Sequence, residues 1–402
     1  MNVRLASSAA KIAYHEAMRH MKRKLDRAAV VLSVLVTLSI GAMGQTPDRS
    51  PTPNDNLISP EVLPDHRVVF RIFAPKATQV SITGDWVTHG RAQAGPLSKD
   101  DSGVWSITLG PFVPDFYSYA YSVDGVRTLD PKNAWIKPGV VNISNMFEVP
   151  GDDEEYEATR PVPHGEVRIV WYQSSTLDTM RSMHIYTPPG YDNGKEKYPV
   201  FYLLHGAGDD DSGWSTIGRA GFILDNLLAE KKIKPMIVVM PNGSMPPSDK
   251  GPAYQTDQFA NEFLQNVMPY VEKNYRVIGN RENRAIAGLS MGGGQTLRVL
   301  PSNLDKFAYA GVFSMGIGRP RTPDFEQANA TFLDNPAKTN KELKLFWIAV
   351  GEKDALVGES AHNLDALLTA KGIKHELHVT EGGHTWINWR HYLHDYAQLI
   401  FR

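Results

Sequence analysis

Arg284-Ala285-Ile286-Ala287-Gly288-Leu289-Ser290-Met291-Gly292-Gly293-Gly294 is a short apolar run, then a serine with glycine two residues to either side, then a helix-compatible segment. A strand that turns at once into a helix leaves no room for side chains at 288 and 292. It also holds the serine in a strained backbone conformation, with the hydroxyl clear of the sheet. Amides at the N-terminus of the following helix favour negative charge developing beside that hydroxyl. A bare G-x-S-x-G also arises in glycine-rich turns. Here the strand before it and the helical run after it mark Ser290 as a candidate nucleophile.

Outward from this point the chain alternates between two rhythms. Apolar runs at residues 200–204, 236–240, 285–287, 309–313 and 345–350 read as buried strands, with helical patterns between them at 222–231 and 258–274. Continuous apolar strands alternating with helices predict a mostly parallel sheet covered on both faces, an α/β-hydrolase fold over residues 166–402. Before it, short alternating runs at 68–73, 79–82, 104–109 and 117–123 are separated by turn residues such as Asp124-Gly125. They predict a small immunoglobulin-like β-sandwich over residues 65–150. Residues 45–64, rich in Pro, Asp, Asn and Ser, and residues 151–165, with an acidic run and Pro161-Val162-Pro163, read as linkers and solvated spacer.

A serine alone is a poor nucleophile near neutral pH and needs a base to take its proton. In this fold the order along the chain is serine, acid, histidine. The run at 345–350 leads into Gly351-Glu352-Lys353-Asp354, which places Asp354 at the carboxyl end of the sheet, with Glu352 as its rival. Glu381-Gly382-Gly383-His384 follows a further strand at 375–379. Among 13 histidines, only His384 combines the order, the loop and the glycines needed to swing over the serine. The oxyanion of a tetrahedral intermediate needs amides aimed at it. Met291 supplies one by position, and the loop His205-Gly206-Ala207-Gly208 supplies the other, from Ala207 or alternatively Gly208. Trp214, Trp386 and Trp86 are candidate substrate contacts, and residues 316–340 a candidate lid. The run Asp209-Asp210-Asp211 has no partner ligands at useful spacing and reads as a solvated loop. Neither metal nor cofactor is expected.

Composition narrows the partners. The chain has 402 residues, 42% hydrophobic, with a formal net charge of −2, so no nucleic-acid partner is indicated. It has no cysteine, which excludes disulfides and thiolate chemistry. Lys22, Arg23, Lys24 and Arg27 precede an apolar run from Ala28 to Ala42, then Gly44, in the order of a secretory signal over residues 1–44. The apolar run is shorter than the ~20 residues of a membrane span. Secretion or a periplasmic location, without stable membrane insertion after cleavage, is therefore expected. Translation from Met21 would shorten the basic region.

With these motifs placed, residues 166–402 resemble the esterase D-like hydrolases of carbohydrate esterase family 1, closest to feruloyl esterases. The resemblance is carried by His205-Gly206, Lys234-Pro235-Met236-Ile237-Val238, the whole 284–295 stretch, Asn303-Leu304-Asp305-Lys306-Phe307 and Gly382-Gly383-His384. It implies cofactor-free hydrolysis of feruloyl or acetyl esters on plant cell-wall xylan. The preceding module resembles carbohydrate-binding module family 48 in Phe70-Arg71-Ile72-Phe73-Ala74-Pro75, Ser81-Ile82-Thr83-Gly84-Asp85-Trp86, Gly103-Val104-Trp105 and residues 119–125. Starch-binding members carry a lysine where this chain has Ala120 and an aromatic near Arg127, so the module is expected to bind xylan or to shape the cleft. Rival readings are a siderophore esterase of the enterobactin-hydrolysing type, an acyltransferase and a non-catalytic carbohydrate-binding protein.

Overall fold

Strand β2 (Val68–Phe73) alternates buried and half-buried side chains, and its buried face meets those of β3 (Val80–Gly84) and β6 (Asp115–Val123). The computed structural model describes residue 21 and residues 50–86, 95–141, 143–151, 155–246, 257–318 and 325–402. The expected signal segment lies outside the described residues, apart from Met21. Two antiparallel sheets make the sandwich. One has the order β1 (Glu61–Val62), β2, β5 (Val104–Leu109), β4 (Ser98–Lys99). The other runs β3, β6, β9 (Ser144–Val149), β8 (Ile136–Lys137), with β7 (Val126–Thr128) paired to β6. Val68, Phe70, Ile72, Tyr119, Tyr121 and Phe147 fill the space between them.

The second sheet system has eight strands in the order β10-β11-β13-β12-β14-β15-β16-β17. β12 (Val200–Leu204), β13 (Ile237–Pro241), β14 (Arg284–Leu289), β15 (Tyr309–Phe313), β16 (Leu345–Gly351) and β17 (Glu376–Thr380) are parallel. β10 (Glu166–Ser174) and β11 (Thr179–Thr187) form an antiparallel hairpin on the β13 edge. The sequence rhythm did not predict that hairpin: the outer strand exposes Val167, Ile169 and Trp171 on one face, so apolar residues do not mark its buried side. Along β12, Val200, Tyr202 and Leu204 enter one core while Phe201 and Leu203 enter the other. Helix α2 (Met291–Val299) and α3 (Gly358–Ala370) cover the first face; α1 (Ala220–Ala229) and α4 (Trp386–Ala397) cover the second.

Residues Asn56–Arg402 form one compact unit. Phe116 and Met146 of the sandwich are buried within the α1–α4 core of the hydrolase sheet. Fully buried Arg390 of α4 donates to Asp115 at 2.5 Å, to the Phe116 carbonyl at 2.8 Å and to the Ile217 carbonyl at 2.7 Å. Breaking a buried pair of this kind is strongly destabilising, because the remaining charge stays in low dielectric.

Both expected spacers are partly ordered. Ser59 is buried and donates to Asp130 at 2.6 Å, and β1 extends the first sheet. Asn226 donates to the carbonyls of Tyr156 and Ala158, so the second segment packs along α1. Glu157, read from sequence as part of a solvated run, is 2% exposed. Burial, and secondarily the negative charge of Asp115, pushes its carboxyl up to about 7. The folded state therefore holds a proton that the unfolded chain releases, and stability falls as pH rises from about 4.5 to about 7. That displacement corresponds to up to about 3 kcal/mol above the window. Glu157→Gln should raise the melting temperature at pH 8 relative to the parent and change it little at pH 4.5, read by thermal unfolding at both.

Candidate active site

Gly288 and Gly292 meet face to face at the β14–α2 turn. A Cβ on Gly288 would fall 2.4 Å from the Gly292 carbonyl carbon, and one on Gly292 would fall 2.6 Å from the Leu204 carbonyl oxygen. Between them Ser290 has φ 49° and ψ −112°, a strained conformation for a residue with a side chain. Its own N–H donates to the Phe313 carbonyl at 2.8 Å, which anchors the turn to β15.

His384 and Asp354 arrive from the ends of the next strands. Asp354 follows β16, and its side chain is wholly buried. One carboxylate oxygen accepts the N–H groups of Leu356 and Val357, each at 3.1 Å. The other accepts from His384 Nδ1 at 2.8 Å. His384 Nε2 stands 3.0 Å from Ser290 Oγ. With Nδ1 protonated toward the carboxylate, Nε2 is left to accept the serine proton. Glu352 points elsewhere: its N–H continues the β16–β17 pairing through the Thr380 carbonyl, and its carboxylate is half exposed beside Lys353.

The histidine loop is fastened from α4. Asn388 accepts from the Gly383 N–H at 3.1 Å and donates to the Glu381 carbonyl at 2.7 Å. Gly382 has φ 92°, and a Cβ there would strike Asn388 at 2.5 Å. Trp389 stands edge-on to the His384 ring, 5.1 Å between centroids, and donates its indole N–H to Ser314. Asn388 and Ser314 carry no motif that sequence reading detects.

Met291 opens α2, so its N–H has no intrahelical acceptor. Ala207 is exposed in the loop after β12, and its neighbour Gly206 lies against Ser290: a Cβ on Gly206 would be 3.6 Å from the serine Cβ. Buried His205 holds this loop, with Nδ1 2.8 Å from the Gly206 carbonyl and Nε2 accepting from the Gly243 N–H at 2.8 Å. Burial lowers the His205 pKa and keeps the ring neutral, as that acceptor role requires. Asp209 and Asp211 are buried, which corrects their reading as a solvated loop.

Of the three tryptophans expected to contact substrate, two are core side chains and the third is half-buried at the edge of the sandwich core. Trp214 is fully buried and donates to the Leu204 carbonyl at 3.0 Å. Trp386 is buried edge-on against it, with centroids 5.2 Å apart. Trp86 is half-buried: it folds back over Gly84 and stacks on Phe70 at 5.7 Å, against the sandwich core. A large apolar ring beside a polar motif is buried wherever a neighbouring element covers it. Within the expected lid, Phe332 and Leu333 belong to the core, while residues 319–324 lie outside the described residues. Among the described residues, no group of three or more acidic or histidine side chains is placed to hold a metal ion, and no helix is long and apolar enough to cross a membrane.

A strained serine at a strand–helix turn, hydrogen-bonded through histidine to a buried carboxylate, thus stands at the end of the α/β-hydrolase sheet. The Esterase family matches residues 174–399, more than half of the chain, and the chain belongs to that family of ester hydrolases. Residues 58–138 match carbohydrate-binding module 48, the isoamylase N-terminal domain. An endo-1,4-beta-xylanase/feruloyl esterase of Xylanibacter ruminicola is 32% identical over 83% of this chain. The chain spans only 44% of that relative's length. A CE1 ferulic acid esterase of Anaeromyces mucronatus, solved with ferulic acid, is 27% identical over 61% of this chain and 94% of its own, at TM-score 0.54. The enterobactin esterase of Shigella flexneri superposes over 83% of this chain and 92% of its own at TM-score 0.61 and 16% identity, a likeness of fold.

Proposed function

We propose that the protein is a secreted serine esterase that releases ferulate from feruloyl esters of plant cell-wall (arabino)xylan, through a Ser290–His384–Asp354 triad and an acyl-enzyme. The continuous hydrogen-bonded path from Asp354 through His384 to Ser290 Oγ is the observation that carries this reading. Ser290 Oγ attacks the ester carbonyl carbon while His384 Nε2 takes the hydroxyl proton. The tetrahedral oxyanion is held by the N–H groups of Met291 and of Ala207 or Gly208. The carbon–oxygen bond to the sugar then breaks, and His384 returns its proton to the departing alcohol oxygen. Water, deprotonated by the same nitrogen, attacks the acyl-serine; ferulate leaves and the serine is reprotonated. Asp354 stabilises the imidazolium formed in each half-reaction.

The choice of acyl group is supported by the xylanase/feruloyl esterase and ferulic acid esterase relatives. Export is supported by the basic and then apolar order of residues 22–42, with cleavage after Gly44. Incubation with feruloylated arabinoxylan, acetylated xylan and ferric enterobactin, followed by product analysis, tests the substrate. Ferulate should appear fastest. Acetate release without ferulate would make the protein an acetyl xylan esterase, and turnover of enterobactin alone would make it a siderophore esterase.

A further inference from the structure

The loop after β12 is gripped from outside its own sheet. Lys137, at the end of β8 in the sandwich, forms an ion pair with Asp209 of that loop, and the two side chains are only 10% and 9% exposed. The Asp209 N–H returns to the Gly206 carbonyl at 3.3 Å and closes a turn over residues 206–209. That turn begins against the serine: a Cβ on Gly206 would lie 3.6 Å from Ser290 Cβ and 3.7 Å from the Asp209 carboxylate. Four residues beyond Lys137, the Val141 N–H donates to the Gly208 carbonyl at 3.4 Å. Gly208 has φ +87°, so the peptide carrying that carbonyl takes an orientation that residues with side chains rarely adopt.

Two sandwich contacts thus hold the C-terminal end of the segment that carries the amides of Ala207 and Gly208. A buried lysine–aspartate pair adds little net stability, since desolvation offsets most of the attraction. Neither charge tolerates separation in low dielectric, however, so the pair acts as a stiff link that fixes position. Position is what an oxyanion site requires, since its donors must already point at the place where charge develops.

We propose that Lys137 is a positioning residue for ester hydrolysis: through Asp209 it sets the 206–208 amides over Ser290, which makes the sandwich a working part of the site as well as any carbohydrate-binding surface. This rests on the reading of Ser290 as nucleophile and of the loop as an oxyanion donor.

The test uses the full chain and methyl ferulate, a soluble ester too small to need a glycan-binding surface. Lys137→Met should lower kcat by up to roughly 100-fold, the cost of a misplaced group, which is at the lower end of that of a lost oxyanion donor. KM should change less than about twofold, because substrate binding common to ground and transition states is untouched. Asp209→Asn should behave alike. The double variant should cost no more than the worse single one, since the two groups act through each other. Lys137→Arg, which keeps the charge, should recover most of the activity. Rates are referred to protein shown by circular dichroism to be folded, and Lys137→Gln replaces the Met variant if that one does not fold. A folded, uncharged variant with wild-type kcat would overturn the proposal. So would a rise in KM at constant kcat, which would make Lys137 a substrate contact, or additive losses in the double variant. Wild-type protein that fails to hydrolyse the ester would instead sink the feruloyl esterase reading.

Discussion

Ser290→Ala should abolish ester hydrolysis while leaving the melting temperature near that of the parent. The hydroxyl is the attacking atom, and nucleophile and base act as a unit, so the loss in turnover should be roughly 10⁵–10⁶-fold. The fold should tolerate the change. Ser290 is held by its backbone N–H to the Phe313 carbonyl and by its carbonyl to the Gly294 N–H, both of which alanine keeps. Steady-state rates on methyl ferulate with matched thermal unfolding give the answer. More than a few per cent of residual activity would move the nucleophile elsewhere.

Asp354→Asn carries the second largest effect. The carboxylate accepts the Nδ1 proton of His384 and two backbone N–H groups, so the asparagine can sit in the same place. Its amide would then donate toward Nδ1, favour the wrong ring tautomer and take away the acceptor that Ser290 needs. In a triad protease the corresponding change costs about 10⁴ in turnover. Glu352→Gln, on a half-exposed side chain that does not reach His384, should cost far less. A reversed ranking of the two variants would transfer the acid to Glu352.

Several parts of this molecule are legible locally. The β14–Ser290–α2 turn is written in consecutive residues, because the close approach of Gly288 to Gly292 is a contact within one turn. Asp354 and His384 are likewise readable as candidates, since each sits on a short loop just after an apolar strand. Strand periodicity announces the central parallel sheet and the sandwich. It misses the β10–β11 hairpin, whose outer strand turns Val167, Ile169 and Trp171 to the exposed face, so apolar residues do not mark its buried side.

From the sequence by itself come the fold class, the family resemblance and the order of the candidate catalytic residues, because each depends on near neighbours in the chain or on strand patterning. Only the tertiary structure brings Asp354, and not Glu352, within hydrogen-bond reach of His384, since the two differ only in which way a loop turns at the sheet edge. It also buries Trp214 and Trp386 and half-buries Trp86, for a ring's exposure depends on whatever element packs over it. The Lys137–Asp209 pair joins residues 72 apart, and Arg390 reaches Asp115 across 275. No local pattern marks such partners. They are selected by the low dielectric between two domains, where a charge must find its counterpart.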